Sequence, residues 1–158
     1  MKNPQPKTPV ADSPAPCNGA ALRKAGRRLS QLYDEILAPS GLLLSQHSIL
    51  VHIDRAKMPT MGDLARDMVL DRSALSHNLK PLERDGLVTL AIDKDDRRSR
   101  RITLTAAGRR KLAETKALWA QAQQRFETAY GVQKAAGLRK LLGEIYTDDF
   151  SAAFSAAL

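Results

Sequence analysis

Residues 71–105 read DRSALSHNLKPLERDGLVTLAIDKDDRRSRRITLT, and the fold is decided there. Asp71 caps a predicted helix from Arg72 to Asp85, and Gly86 closes it in the usual C-terminal position. On a helical wheel Leu75, Leu79 and Leu82 fall within about 60° of one another and face a core. Ser73, His77, Lys80 and Arg84 fall within about 60° on the opposite side, with Ser76 beside them. None of that outward row is acidic, and each member can donate a hydrogen bond to a base edge or a phosphate. The alternative is a solvated amphipathic face. Pro81 removes the hydrogen bond to the His77 carbonyl, so the helix either bends there or ends near Lys80. Leu87–Ile92 and Ile102–Thr105 alternate like strands, and the polar run between them makes a hairpin with a charged tip.

Working outward, Thr60-Met61-Gly62-Asp63 fits a capping box that opens a short helix to about Asp67, and Val69-Leu70 turn the chain toward Asp71. Two short helices, a tight turn and a basic hairpin have the layout of a winged helix-turn-helix. A helix is expected from the cap Asn18 to about Ala38, stopped by Pro39-Ser40-Gly41, and a second from the cap Ser45 to about Ala56. Thr105 caps a long helix to about Tyr130, and after Gly131 a last helix spans about Gln133 to Ala156. Residues 1–16 hold five of the eight prolines and read as a disordered or extended arm. The fold class is mainly α with a small β-hairpin wing.

The 158 residues suffice for one domain with appended arms. The net charge is +8, and all of it lies in residues 1–111, with 20 Lys/Arg against 12 Asp/Glu; residues 112–158 hold five of each. That split suits a chain that grips a polyanion with one part and assembles with another. One cysteine excludes an internal disulfide, and there is no zinc-ligand spacing. No apolar run approaches the ~18 residues of a membrane span and no secretory core precedes the arm, so a cytoplasmic protein without membrane contact is expected. Arg97, Arg98, Arg100 and Arg101 crowd the hairpin tip, where guanidinium suits a narrow minor groove and Asp96 is placed to aim Arg98. A mobile solvated loop is the alternative.

Leu64-Ala65, the segment LKPLERDGLV at 79–88, the segment DKDDRRS at 93–99 and LTAAG at 104–108 together resemble MarR-type regulators in order and spacing, from about residue 18 to the end. The resemblance implies a single domain over 17–158, with dimerisation helices at 17–44 and 106–158 and a winged helix-turn-helix lobe at 45–105. It implies a homodimeric, sequence-specific transcriptional regulator on a pseudo-palindromic double-stranded operator, a repressor more than an activator, released by a small aromatic or phenolic effector. Asp96 and Arg98 fall on the family's minor-groove wing pair, and Ser73, Ser76, His77 and Lys80 on its outward recognition row. Thr60, Arg72, Arg84, Arg97 and Arg100 complete the expected DNA-binding set.

Tyr33 and His47 are candidates for an effector pocket, against a plain core or exposed role for His47. Cys17 is either a thiol switch of the peroxide-sensing kind or an incidental thiol; a nonspecific architectural DNA-binding protein is a further alternative. His47 and His52 diverge by about 140° on a helix and cannot share a metal, so no metal and no cofactor are expected. Trp119 and Phe126 read as dimer-interface residues or as the wall of an aromatic pocket, and Asp148-Asp149 as a solvated pair. No nucleophile elbow, phosphate-binding loop or carboxylate pair marks an enzyme.

Overall fold

Apolar stripes from three helices and a hairpin meet in one core. The computed structural model describes residues 17–94 and 96–157, and the arm expected at 1–16 lies outside them. In chain order the elements are α1 (Asn18–Leu37), a 3-10 turn (Ala38–Ser40), α2 (Leu44–Ala56), α3 (Met61–Asp67), α4 (Arg72–Arg84), β1 (Val88–Ile92), β2 (Arg100–Leu104), α5 (Ala106–Tyr130), α6 (Val132–Ile145) and α7 (Asp148–Ala156). Ile49, Leu50 and Ile53 of α2, Leu64 of α3, Leu75, Leu79 and Leu82 of α4, and Val88 and Ile102 of the hairpin are buried together. Each such side chain contributes about 1.5–3 kcal/mol of transfer free energy. The outward row of α4 is thereby fixed, because Leu75, Leu79 and Leu82 leave it one orientation.

Short polar motifs set the ends of these elements. Thr60 Oγ1 accepts the Asp63 N–H at 3.1 Å and donates to Asp63 Oδ2 at 2.7 Å, Asp71 Oδ1 accepts the Ala74 N–H at 2.7 Å, and Thr105 Oγ1 accepts the Gly108 N–H at 2.9 Å. These satisfy donors that a helix N-terminus leaves unpaired. Gly108 is the fixed point of the LTAAG segment: a Cβ there would lie 2.0 Å from the Leu87 carbonyl oxygen, so only glycine lets α5 start against the hairpin.

The two strands are antiparallel, with Val88 opposite Leu104 and Ile92 opposite Arg100. The α2–α3 linker adds a third, partial strand: the Ile102 N–H donates to the Pro59 carbonyl at 3.0 Å and Thr60 bridges to Arg101. Lys57 starts that linker at φ 68, ψ −72, a strained γ-turn closed by the Met58 N–H on the Ala56 carbonyl at 3.0 Å. Val69 sits at φ 52 in the helix-turn-helix turn, a costly setting for a β-branched residue.

Several boundaries differ from expectation. Cys17, not Asn18, is the N-cap of α1, and it makes no side-chain cap bond. Helix α2 starts at Leu44 and places Ser45 inside it. Asp34 Oδ1 accepts the Leu44 N–H at 2.6 Å and Gln46 Oε1 the Leu43 N–H at 2.9 Å, so the end needs no serine cap. Helix α4 runs through Pro81 without ending near Lys80, held on both sides by buried Leu79 and Leu82. Strand β2 begins at Arg100 rather than Ile102, because backbone pairing to Ile92 extends into the charged run. The last helix is two: Thr147 accepts the Phe150 N–H at 3.1 Å and starts α7, placing Asp148 and Asp149 in its first turn, where the helix dipole favours carboxylates.

Outside the lobe Tyr33, Leu37, Ala122 and Ala135 are buried, but many larger apolar positions lack cover. Leu22, Leu32, Val132, Leu141, Tyr146 and Phe154 are all exposed, although α5 packs on α1 and α2, α6 on α5, and α7 on α6. Among the described residues, no single helix is long and apolar enough to cross a membrane.

Candidate nucleic-acid interface

Helix α4 turns its polar row to solvent as the wheel requires. Ser73, His77, Lys80 and Arg84 are exposed and Ser76 is half-buried. Lys80 and Arg72 have no ion-pair partner among the described residues, whereas the Arg84 Nε donates to Asp85 Oδ1 at 2.9 Å at the far end of the helix. The charge available to an outside anion therefore lies between Arg72 and Lys80, ahead of the paired C-terminal end.

The wing meets α3 and the start of α4 in a polar notch of about 430 Å³, lined by Thr60, Gly62, Asp63, Arg66, Arg72, Asp96, Arg98 and Arg100 among others. The structure thus gathers Thr60, Arg72, Asp96, Arg98 and Arg100 around one concavity, while Arg97 sits exposed on the neighbouring tip. Gly62 makes room for this: a Cβ on it would approach the Arg72 guanidinium at 3.2 Å. Arg66 was not foreseen as part of the site. It sits one turn into α3, where its contact with Asp63 at 3.4 Å is exposed and weak. Thr60 contributes through position, since its hydroxyl is engaged in the capping box, and the same hydroxyl holds the Asp63 carboxyl below its ordinary range.

The four tip arginines separate into two kinds. Arg101 is structural: its Nε meets the buried Asp93 carboxylate at 2.9 Å and its Nη1 donates to the Met58 carbonyl at 3.0 Å, tying the wing to the α2–α3 linker. Arg100 lies on β2, and Arg97 and Arg98 occupy the loop with no ion-pair partner among the described residues. Asp96 does not grip the Arg98 side chain. Its Oδ1 accepts the Arg98 backbone N–H at 3.0 Å and its carbonyl accepts the Ser99 N–H at 2.9 Å, so it shapes the turn that presents Arg98.

Tyr33 and His47, expected in one pocket, line two separate ones. Tyr33 borders a cavity of about 490 Å³ between α1 and α5 that also includes Phe126, and its hydroxyl donates to Gln123 Oε1 at 2.9 Å. Burial raises its pKa. His47 borders a cavity of about 430 Å³ between α2 and α5, with Leu44, Val51, Leu112, Lys116 and Trp119. Its ring stacks with Trp119 at 6.3 Å between centroids, and its Nδ1 is 3.0 Å from Thr115 Oγ1. Burial lowers the His47 pKa, so the ring is neutral near pH 7. Trp119 accordingly stands in a pocket wall. His52 pairs instead with Asp67, and Cys17 is exposed at the start of α1. Among the described residues, no three His, Cys, Asp or Glu side chains are grouped to hold a metal.

Comparisons with known proteins bear on the family and the fold. The MarR family model matches residues 40–99, the stretch from the end of the 3-10 turn to the wing tip. The crystal structure of the Mycobacterium tuberculosis transcriptional regulator MosR in complex with DNA superposes at a TM-score of 0.75 with 33% identity, covering 90% of this chain and 100% of that one. The chain belongs to the MarR family. The repressor CouR, bound to a 23-mer DNA duplex, is similar at 28% identity and a TM-score of 0.75 over 83% of this chain and 93% of its own. The transcriptional activatory protein BadR of Rhodopseudomonas palustris is 39% identical over 72 residues, a match spanning 44% of this chain and 41% of BadR. MarR-family proteins are transcriptional regulators rather than enzymes.

Proposed function

We propose that the chain is a homodimeric, sequence-specific DNA-binding transcriptional regulator of the cytoplasm, a repressor released by a small aromatic or phenolic effector. The observation that carries this is the cationic surface, without ion-pair partners among the described residues, that runs from Arg72 and Lys80 on α4 to Arg98 on the wing, with the notch between them. Lysine and arginine on that surface neutralise phosphates and supply affinity that falls with salt. Ser73, Ser76, His77 and Lys80 meet base edges in the major groove, and Arg98, with Arg97 and Arg100 beside it, enters the adjacent minor groove. The DNA-bound state of MosR and CouR supports this partner.

The dimer follows from the apolar residues that one copy leaves open. Leu22 and Leu32 of α1, Leu141 of α6 and Phe154 of α7 lie outside the lobe core, and the stretch beyond residue 111, which holds the last two, carries no net charge. Two lobes held by such an interface read half-sites about one helical turn, ~34–36 Å, apart. A ligand in the α2–α5 cavity sits where the lobe joins the long helix, and one that favours a different lobe spacing releases the operator. Selection of bound duplexes from a random pool tests the proposal. An enriched inverted repeat is expected; a pool that binds within a few-fold across all sequences would mark a nonspecific architectural protein instead.

A further inference from the structure

The α2–α5 cavity contains a histidine with one committed nitrogen and one open one. Thr115 is fully buried, and its Oγ1 lies 3.1 Å from the Lys111 carbonyl and 3.1 Å from the Leu112 carbonyl. A hydroxyl has one proton, and both carbonyls can only accept. If that proton pointed to His47, two carbonyl oxygens would face the Thr115 oxygen with nothing between them. The proton therefore goes to the helix carbonyls, and His47 Nδ1 carries the hydrogen that bridges its 3.0 Å separation from Thr115 Oγ1. The neutral ring then leaves Nε2 as a bare acceptor. No hydrogen bond reaches Nε2 among the described residues, yet no enclosed side-chain nitrogen or oxygen lacks a partner. The His47 residue is only 4% exposed, so Nε2 opens onto the cavity that its ring borders.

We infer that His47 is the specificity-determining residue of this cavity, selecting a planar ligand that presents a hydroxyl donor to Nε2 and an anionic end to Lys116 and Arg55. It rests on the cavity being the effector site. The flat body of the ligand lies along Trp119, Val51 and Leu112, and Lys116 and Arg55 have no ion-pair partner among the described residues, against the single carboxylate of Asp54 in the same wall. The low basicity that burial gives His47 keeps Nε2 free of a proton of its own. A ligand without the hydroxyl leaves the acceptor desolvated and unpaired, and a carboxylate aimed at Nε2 meets a lone pair.

Trp119 is the only tryptophan of the chain and stands in the cavity wall, so its emission reports occupancy directly. The full-length protein is titrated with 3- and 4-hydroxybenzoate, with benzoate, and with the matching methoxybenzoates, which accept but cannot donate. The better hydroxybenzoate is expected to bind at least about tenfold more tightly than benzoate and than its own methyl ether. His47→Phe keeps the stacked ring and removes the acceptor, and it brings all the ligands within about twofold of each other. Thr115→Val removes the partner that fixes the tautomer, and it shrinks the preference by a separate route should the first variant fold poorly. Equal quenching by all the ligands in the wild type overturns the role of His47 and leaves the cavity as an effector site. Quenching by none at millimolar concentration, in protein that still binds DNA, overturns both.

Discussion

Gly108→Ala tests the joint between the DNA-facing lobe and the long helix. A Cβ at this position would sit 2.0 Å from the Leu87 carbonyl oxygen and 2.9 Å from its carbonyl carbon, both of them backbone atoms that no rotamer change can move. Carbon–oxygen contact begins near 3.3 Å, so the start of α5 must retreat from the hairpin by about 1.3 Å. That retreat strains two bonds at the same joint, the Thr105 N–H on the Leu87 carbonyl at 3.1 Å and the Thr105 Oγ1–H on the Gly86 carbonyl at 2.6 Å. Overpacking costs about 1–3 kcal/mol and each weakened bond about 1 kcal/mol, while removing glycine from a helix returns about 0.5–1 kcal/mol. The net expectation is a loss of about 2–4 kcal/mol, or a fall of about 5–15 °C in Tm at fixed protein concentration. Calorimetry of the two proteins side by side measures it. A variant as stable as the wild type, or more stable, would refute the packing of α5 on Leu87 and with it the physical reason for the glycine in LTAAG.

The remaining expectations concern the interface, the strained turn and the buried histidine. Arg98→Ala weakens binding to a selected operator by about 1–3 kcal/mol in fluorescence anisotropy; unchanged affinity removes the wing from recognition. Lys80→Ala, at a position taken to contact phosphate, lowers the slope of log K against log salt by about one, and an unaltered slope places Lys80 off the backbone. Val69→Gly relieves a left-handed β-branched residue that is 66% exposed, so stability rises by about 0.5–1.5 kcal/mol in urea unfolding; a loss shows that Val69 is packed. His47 has a folded-state pKa below its unfolded value, so the unfolded chain takes the proton first; the stability of its neutral form is full above the unfolded pKa and drains as pH falls through the folded one. Acidification from pH 7 toward 5 therefore costs the wild type more than His47→Phe, and parallel curves would contradict the burial.

The lobe was legible because its determinants are local. Thr60, Asp71 and Thr105 announce helix starts through their own side chains, and Leu75, Leu79 and Leu82 fix the buried face of α4 by spacing alone. The arginines of the hairpin were less readable, because which of them is free depends on partners far along the chain. Arg101 is claimed by the Met58 carbonyl, 43 residues away, and by a buried aspartate. Apolar spacing continues from Leu142 through Phe150 as one helix would, and that regularity masks the cap at Thr147 that divides it. Tyr33 and His47 could not be assigned to separate cavities from their own neighbourhoods. Helix α5 divides them, and only the packing of α1 on one side and α2 on the other decides which residue lines what. Gln121 and Arg125 at the first cavity, and Lys116 and Arg55 at the second, carried no sequence signal beyond ordinary surface polarity.

Anisotropy on an inverted repeat and on the same two half-sites moved apart by five base pairs addresses the paired-lobe arrangement most directly. Half a turn of DNA swings the second site to the opposite face of the duplex, where two lobes fixed in one dimer cannot both reach. The spaced duplex is expected to bind no better than a single half-site at moderate ionic strength. Equal affinity for the two duplexes, or for a scrambled sequence of the same length, contradicts a pair of α4 helices seated in successive major grooves.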